Sequence, residues 1–266
     1  MKKFLLAILL LGNFISAMAS NEIEKKDHIT LYQVATIDSL TDGVLDGDYS
    51  FEELSKHGNF GLGTFNHLDG EMVAVDGNFY QITANGRLNK VKPAELTPFA
   101  EVTFFKPQQH FNLQNIDNLN DLTATLDNHI NNKNVPFAIR IEGVFSNLKL
   151  RSIPRQYKPY PKLETAATSQ HIYNLTNTKG TIIGFYFPKY FSTIAVSGFH
   201  LHFVTSDHTT GGHILDLKLL KGSVYLQALH QVKIMMPYTK DFKDAHLGNP
   251  TNAESINRVE KDPAAK

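Results

Sequence analysis

The chain has 266 residues, 42% of them hydrophobic and 20% charged, with 26 basic against 26 acidic side chains and no cysteine. That length is ample for one large core or two smaller ones, and balanced charge without an arginine-rich stripe argues against a nucleic-acid surface. Lacking cysteine, the fold has neither disulfides nor thiolate ligands, so any metal must be held by nitrogen and oxygen. Lys2-Lys3, the apolar run Phe4 to Ile15 and Ala17-Met18-Ala19 before Ser20 have the order of a cleaved secretory signal over residues 1–19. The run is too short to span a bilayer comfortably, and losing Lys2 and Lys3 leaves a mature charge near −2. Residues 20–28 are polar and read as a leader.

Alternation from Ile29 to Thr36 predicts a first strand, and Ser50-Phe51-Glu52-Glu53-Leu54 has the form of a capping-box helix start, stopped by Gly58. Phe60 to Phe65 follows, and then Gly70 to Val75 and Phe79 to Thr83 flank Asp76-Gly77, a hairpin turn signal. Glu101 to Lys106 reads as a strand closed by Pro107. Apolar residues at Leu113, Ile116, Leu119, Leu122, Leu126 and Ile130 predict one long helix over 113–130. Pro136 to Val144 and Ser146 to Ile153 read as two strands before an irregular proline-rich loop over 154–162. Thr181 to Phe187, Ile194 to Val204, His213 to Leu220 and Ser223 to Met236 complete a strand-rich second half. The expected class is α+β. A mixed-sheet N-terminal part over 20–160 packs on a strand-rich, barrel-like C-terminal part over 161–236 carrying the metal site. Residues 237–266 form a polar tail.

Chemistry concentrates at Gly198-Phe199-His200-Leu201-His202-Phe203-Val204. Strand alternation puts His200 and His202 on one face. A turn and Gly211-Gly212 then give the backbone freedom to bring His213 beside them. Three neutral imidazoles leave one position open, the arrangement of catalytic zinc, although the spacing alone suits histidines on a solvated strand face equally well. His208 lies in the intervening turn, where a solvated side chain is the simpler reading than a fourth ligand. Asp216 shares a face with Ile214 rather than His213 and is not counted as a ligand. Glu71 opens a strand among apolar neighbours, yet by itself it reads more simply as a solvated hairpin residue. Arg151 ends an alternating strand, with Arg155 as its competitor.

Several stretches together resemble the alpha-acetolactate decarboxylase family over about residues 29–236. They are Leu31-Tyr32-Gln33, Gly43-Val44 with Asp46-Gly47-Asp48, His57 to Phe65, Leu68 to Met72, Thr97 to Ala100, Arg151 to Gln156, Pro159-Tyr160-Pro161 and the histidine segment. The resemblance implies that His200, His202 and His213 hold the metal, that Glu71 and Arg151 are the active-site acid and cation, and that Thr64 lines the pocket. The family's second acidic residue comes from the tail, which places it at Glu260, with Glu254 in reserve. The implied reaction is zinc-dependent decarboxylation of 2-acetolactate to acetoin and CO2, with Zn2+ as Lewis acid for the enediolate and no organic cofactor. The signal sequence implies export, to a periplasm or out of the cell, with no membrane attachment after its removal, and the resemblance implies a homodimer. Two other classes fit the histidines: another zinc hydrolase or lyase, needing no arginine at the metal, and a metal-binding protein without chemistry, needing a closing ligand such as His208.

Overall fold

The computed structural model describes residues 28–260, and the expected signal sequence lies outside them. β1 (Thr30–Val34) is followed by α1 (Ile37–Thr41), capped by Thr36, whose side chain accepts from Ser39 N. β2 (Tyr49–Ser50) leads into α2 (Phe51–Leu54), where Ser50 Oγ accepts from Glu53 N as the capping-box reading requires. Next come β3 (Phe60–Thr64), β4 (Glu71–Val75), β5 (Asn78–Ile82), β6 (Leu88–Lys90), β7 (Leu96–Thr97) and β8 (Ala100–Thr103). Between β4 and β5, Asp76 and Gly77 both take positive φ, as a tight two-residue hairpin turn demands.

The single helix expected over 113–130 is two elements: β9 (Gln109–Ile116) and α3 (Leu119–His129). Phe111 and Leu113 follow strand alternation, after which Asn115 at φ 53° shifts the chain so that Ile116 also faces the core. An irregular strand end thereby imitates helical spacing. The helix begins where Asn118 caps it and where Asp216 Oδ1 accepts from Leu119 N at 2.9 Å.

β10 (Phe137–Ser152) runs unbroken through the two strands expected there, its irregularity absorbed as register shifts around Phe145. α4 (Leu163–Ala167), β11 (His171–Phe187), β12 (Gly198–Thr205), β13 (Gly211–Ala228) and β14 (Gln231–Met235) follow. The tail, expected to be loosely patterned, contains α5 (Lys240–Asp244) and α6 (Pro250–Val259).

Two sheets dominate. The first has the order β14-β1-β8-β3-β4-β5-β6, and the second β10-β11-β12-β13-β9, with β13 also pairing β10. β14 joins the first sheet parallel to β1, whereas β10 precedes residue 160 yet belongs to the second. Neither sheet is therefore confined to one side of residue 160. Gly180, Gly143 and Gly222 stand opposite one another across β11, β10 and β13. A Cβ on Gly180 would lie 2.3 Å from the Phe203 ring, so this row lets long strands bend closely together. One core fills the second sheet around Phe145, Phe203 and Leu217; another lies between the sheets around Leu62, Val73 and Phe185. A third gathers α1, α4 and α6 through Ile37, Leu40, Leu163, Ile256 and Val259. The site opens against this third core, beneath Thr64 and Glu71 of the first sheet.

Candidate active site

Register assembles the site. His213 lies opposite Arg151 on β10 and opposite His202 on β12, so residues far apart in sequence share one row and one face of the second sheet. His200 joins them by strand alternation. A Cβ on Gly212 would stand 2.9 Å from the Arg151 carbonyl oxygen, so a glycine is what allows β13 this approach beside His213. The first sheet contributes Thr64 and Glu71, directly opposite each other on β3 and β4. Glu260 arrives as the C-cap of α6.

All of these side chains are buried except that of Glu260, which is 14% exposed. Arg151 stands between the two acids: Nη1 donates to Glu71 Oε1 at 3.1 Å and Nη2 to Glu260 Oε1 at 3.3 Å. Each acid turns its other oxygen to the imidazoles. Glu71 Oε2 is 3.5 Å from His202 Nε2, and Glu260 Oε2 is 3.5 Å from Nε2 of both His200 and His213. Burial raises the Glu71 carboxyl to about 7, against the pull of Arg151 and with help from Glu260. Burial likewise raises Glu260, again opposed by Arg151. Thr64 Oγ1 donates to Gly70 O at 2.7 Å and so is held as a fixed acceptor toward the pocket. The walls are apolar: Ile37, Leu40, Leu68, Phe99, Leu163 and Val259.

The histidines fit a metal ion. One ligand atom from each lies within 4.8 Å of the others. Burial is the main cause that drives all three well toward the neutral form, the form that ligates. A carbonyl can only accept, so the 3.0 Å contact of His202 Nδ1 with Met72 O puts the proton on Nδ1 and leaves the Nε2 lone pair toward the centre. That Nε2 and both ring nitrogens of His213 are buried without a protein hydrogen-bond partner.

Other candidates lie elsewhere. His208 is exposed, with Nδ1 3.2 Å from the Tyr80 hydroxyl, and takes no part in the cluster. Arg155 is largely exposed beside Asp69. Asp216 serves the start of α3. Glu254, held in reserve for the pocket, is exposed: it precedes Glu260 by six residues, about 600° of helix rotation, and so faces away.

One buried acid carries no distinguishing pattern in the sequence. Glu101 on β8 is fully buried between the sheets, opposite Gln33 and Leu62, and neither carboxyl oxygen has a partner. Burial pushes its pKa well above the usual range, and the charge of Glu260 adds to the effect. A carboxyl held neutral in the fold binds its proton more tightly than in the unfolded chain, so this group costs stability as pH rises above the ordinary carboxylate range. Glu101→Gln removes that cost. Paired thermal scans should show its melting temperature above the parent's by roughly 2–4 °C or more near pH ~8, the gap closing toward pH ~4. A lower melting temperature near pH ~8 would mean that Glu101 is ionised and partnered.

The chain matches the family described as alpha-acetolactate decarboxylase over residues 31–249. An alpha-acetolactate decarboxylase of Methanosarcina mazei is 42% identical over 231 residues, spanning 87% of this chain and 80% of that protein. The one from Bacillus subtilis is 38% identical over 233 residues, 88% of this chain and 91% of that protein. The crystal structure of alpha-acetolactate decarboxylase from Bacillus subtilis strain 168 superposes with a TM-score of 0.85, covering 88% of this chain and 100% of that chain.

Proposed function

The chain belongs to the alpha-acetolactate decarboxylase family and is a carboxy-lyase, and we propose that it converts 2-acetolactate to acetoin and CO2 at the pocket between its sheets, with Zn2+ held by His200, His202 and His213. The observation that carries this reading is the position of Arg151. Its guanidinium holds Glu71 on one side and Glu260 on the other, and both acids present their second oxygen to the imidazoles.

Breaking the bond between the tertiary carbon and the carboxylate leaves an electron pair that moves toward the neighbouring ketone oxygen. A divalent cation held by the three neutral imidazoles supplies a Lewis acid for that developing charge. Arg151 is the permanent cation lining the pocket, and its Nε is buried without a partner, so it is the group to face the substrate carboxylate. The apolar walls receive the two methyl groups and exclude water from the carbanionic carbon. That carbon must then gain a proton. Glu260, whose Oε2 has no hydrogen-bond partner in the protein and whose carboxyl is raised by burial, delivers it, with Glu71 as the neighbouring acid. Thr64 offers its hydroxyl oxygen to a substrate hydroxyl. The A-x-A segment ending at Ala19 supports export as part of this reading, and a homodimer is the assembly that the family resemblance implies. Among the described residues no helix is long and apolar enough to cross a membrane.

The test is turnover of 2-acetolactate to acetoin by the purified chain, with and without chelator, alongside Arg151→Lys. That variant should keep fold and metal but lose about 100-fold or more of its turnover, because an ammonium cannot reproduce a guanidinium fork holding two acids. Near-normal turnover in Arg151→Lys would reduce Arg151 to a structural cation.

A further inference from the structure

Glu260 reaches the pocket only if α6 keeps its register on the body of the protein. Ile256 and Val259 pack into the core formed with α1 and α4, but apolar contact is non-directional and leaves a helix free to slide or turn. Direction comes from one carboxylate. Asp38, on α1, accepts from Gly248 N at 2.6 Å through Oδ2 and from Asn252 Nδ2 at 2.6 Å through Oδ1. Asp38 and Asn252 are 4% and 5% exposed, so water competes little for these bonds. The two donors flank the N-cap Asn249, so the carboxylate grips both the entrance and the first turn of α6. The same two helices then line the pocket, α1 with Ile37 and Leu40, and the end of α6 with Val259 and Glu260. A second clamp, Glu164 on α4 with Arg258 and Ser255, is about half exposed and therefore weaker.

We infer that Asp38 is a positioning residue: its carboxylate, through Asn252 and Gly248, locks the tail helix in the register that holds Glu260 between Arg151 and the histidines. The inference rests on the reading of Glu260 given above. It assigns to Asp38 no contact with substrate.

The donor and acceptor roles make it testable by exchange. Asp38→Ala removes both accepting oxygens at once, and Asn252→Asp sets two carboxylates against each other. The double variant Asp38→Asn/Asn252→Asp restores one donor and one acceptor, and the amide oxygen that it places on α1 still accepts from Gly248 N. Measured on the full-length, metal-loaded enzyme, each single variant should lower kcat by about 10-fold or more, as a small misplacement of a reacting group does. KM and metal content should change little, and the double variant should recover most of kcat. In a Glu260→Gln background, Asp38→Ala should lower kcat hardly further, because both changes disable one unit. Should Asp38→Ala give no soluble enzyme, Asn252→Ala cuts the same link from the tail side and is read in the same way. Unchanged kcat in the single variants, no recovery in the exchange, or losses that multiply with Glu260→Gln would each overturn the role of Asp38 alone. Full turnover in Glu260→Gln itself would overturn both this role and the reading of the pocket.

Discussion

Replacing His202 by alanine is expected to strip the metal and abolish turnover together. Three imidazoles form the whole histidine set, and His202 is the one oriented by a carbonyl of the opposite sheet, Met72 O. Two remaining nitrogens bind a divalent ion far more weakly than three. Changes to groups merely behind a ligand already cost about 10–100-fold in metal affinity or activity, so loss of the ligand itself should exceed roughly 1000-fold in turnover. Metal analysis of the purified variant, beside an acetoin assay, reads both. His208→Ala is the matched control and should keep metal and turnover, since that side chain is exposed and meets only the Tyr80 hydroxyl. Metal retained in His202→Ala and lost in His208→Ala would show that the ligand set is wrong.

Glu260→Gln should lower turnover at least ~100-fold, the lower range for loss of a general acid, with metal content and melting temperature near the parent's. The amide keeps the size of the side chain and can still accept from Arg151, but its N–H protons are not acidic and cannot be delivered to carbon. Deleting residues 253–266 should cause the same catalytic loss and, in addition, a lower melting temperature. On its polar composition alone the tail should be dispensable to the fold, but Ile256 and Val259 are 4% and 5% exposed in the α1–α4 core. Burial of each contributes about 1.5–3 kcal/mol, and each kcal/mol shifts the melting temperature of a domain of this size by roughly 2–4 °C. A truncated chain that melts like the parent and turns over at full rate would return the tail to the status of an appendage.

The histidine site was legible because its pattern is local. His200-Leu201-His202 must put two imidazoles on one face of a strand, whatever the strand pairs with, and a glycine pair before His213 allows a close return strand. The Asp76-Gly77 turn and the Ser50 cap were legible for the same reason, since both are set by a few neighbouring dihedrals. Spacing did not separate a ligand cluster from a solvated strand face, and only the burial of all three rings removes the solvated reading.

By itself, then, the chain determined which residue types lay within a few positions of one another, and the family to which those stretches point. Tertiary structure decided everything that depends on register between distant segments. Arg151 rather than Arg155 enters the site because β10 and β13 pair so that Arg151 meets His213. Glu260 rather than Glu254 enters it because the seat on Asp38 and the apolar core set which side of α6 faces inward. Glu71 exchanges the solvated hairpin of a local reading for a buried seat because the second sheet covers β4. Leu113 and Ile116 read as helix because a strand with one irregular residue has the same apolar spacing as a helical turn. The reason is common to all four. Local propensity acts through neighbouring dihedrals, whereas burial and strand register are set by contacts between distant segments, such as Arg151 with Glu260 across 109 positions and Asp38 with Asn252 across 214, and no short window along the chain contains both partners.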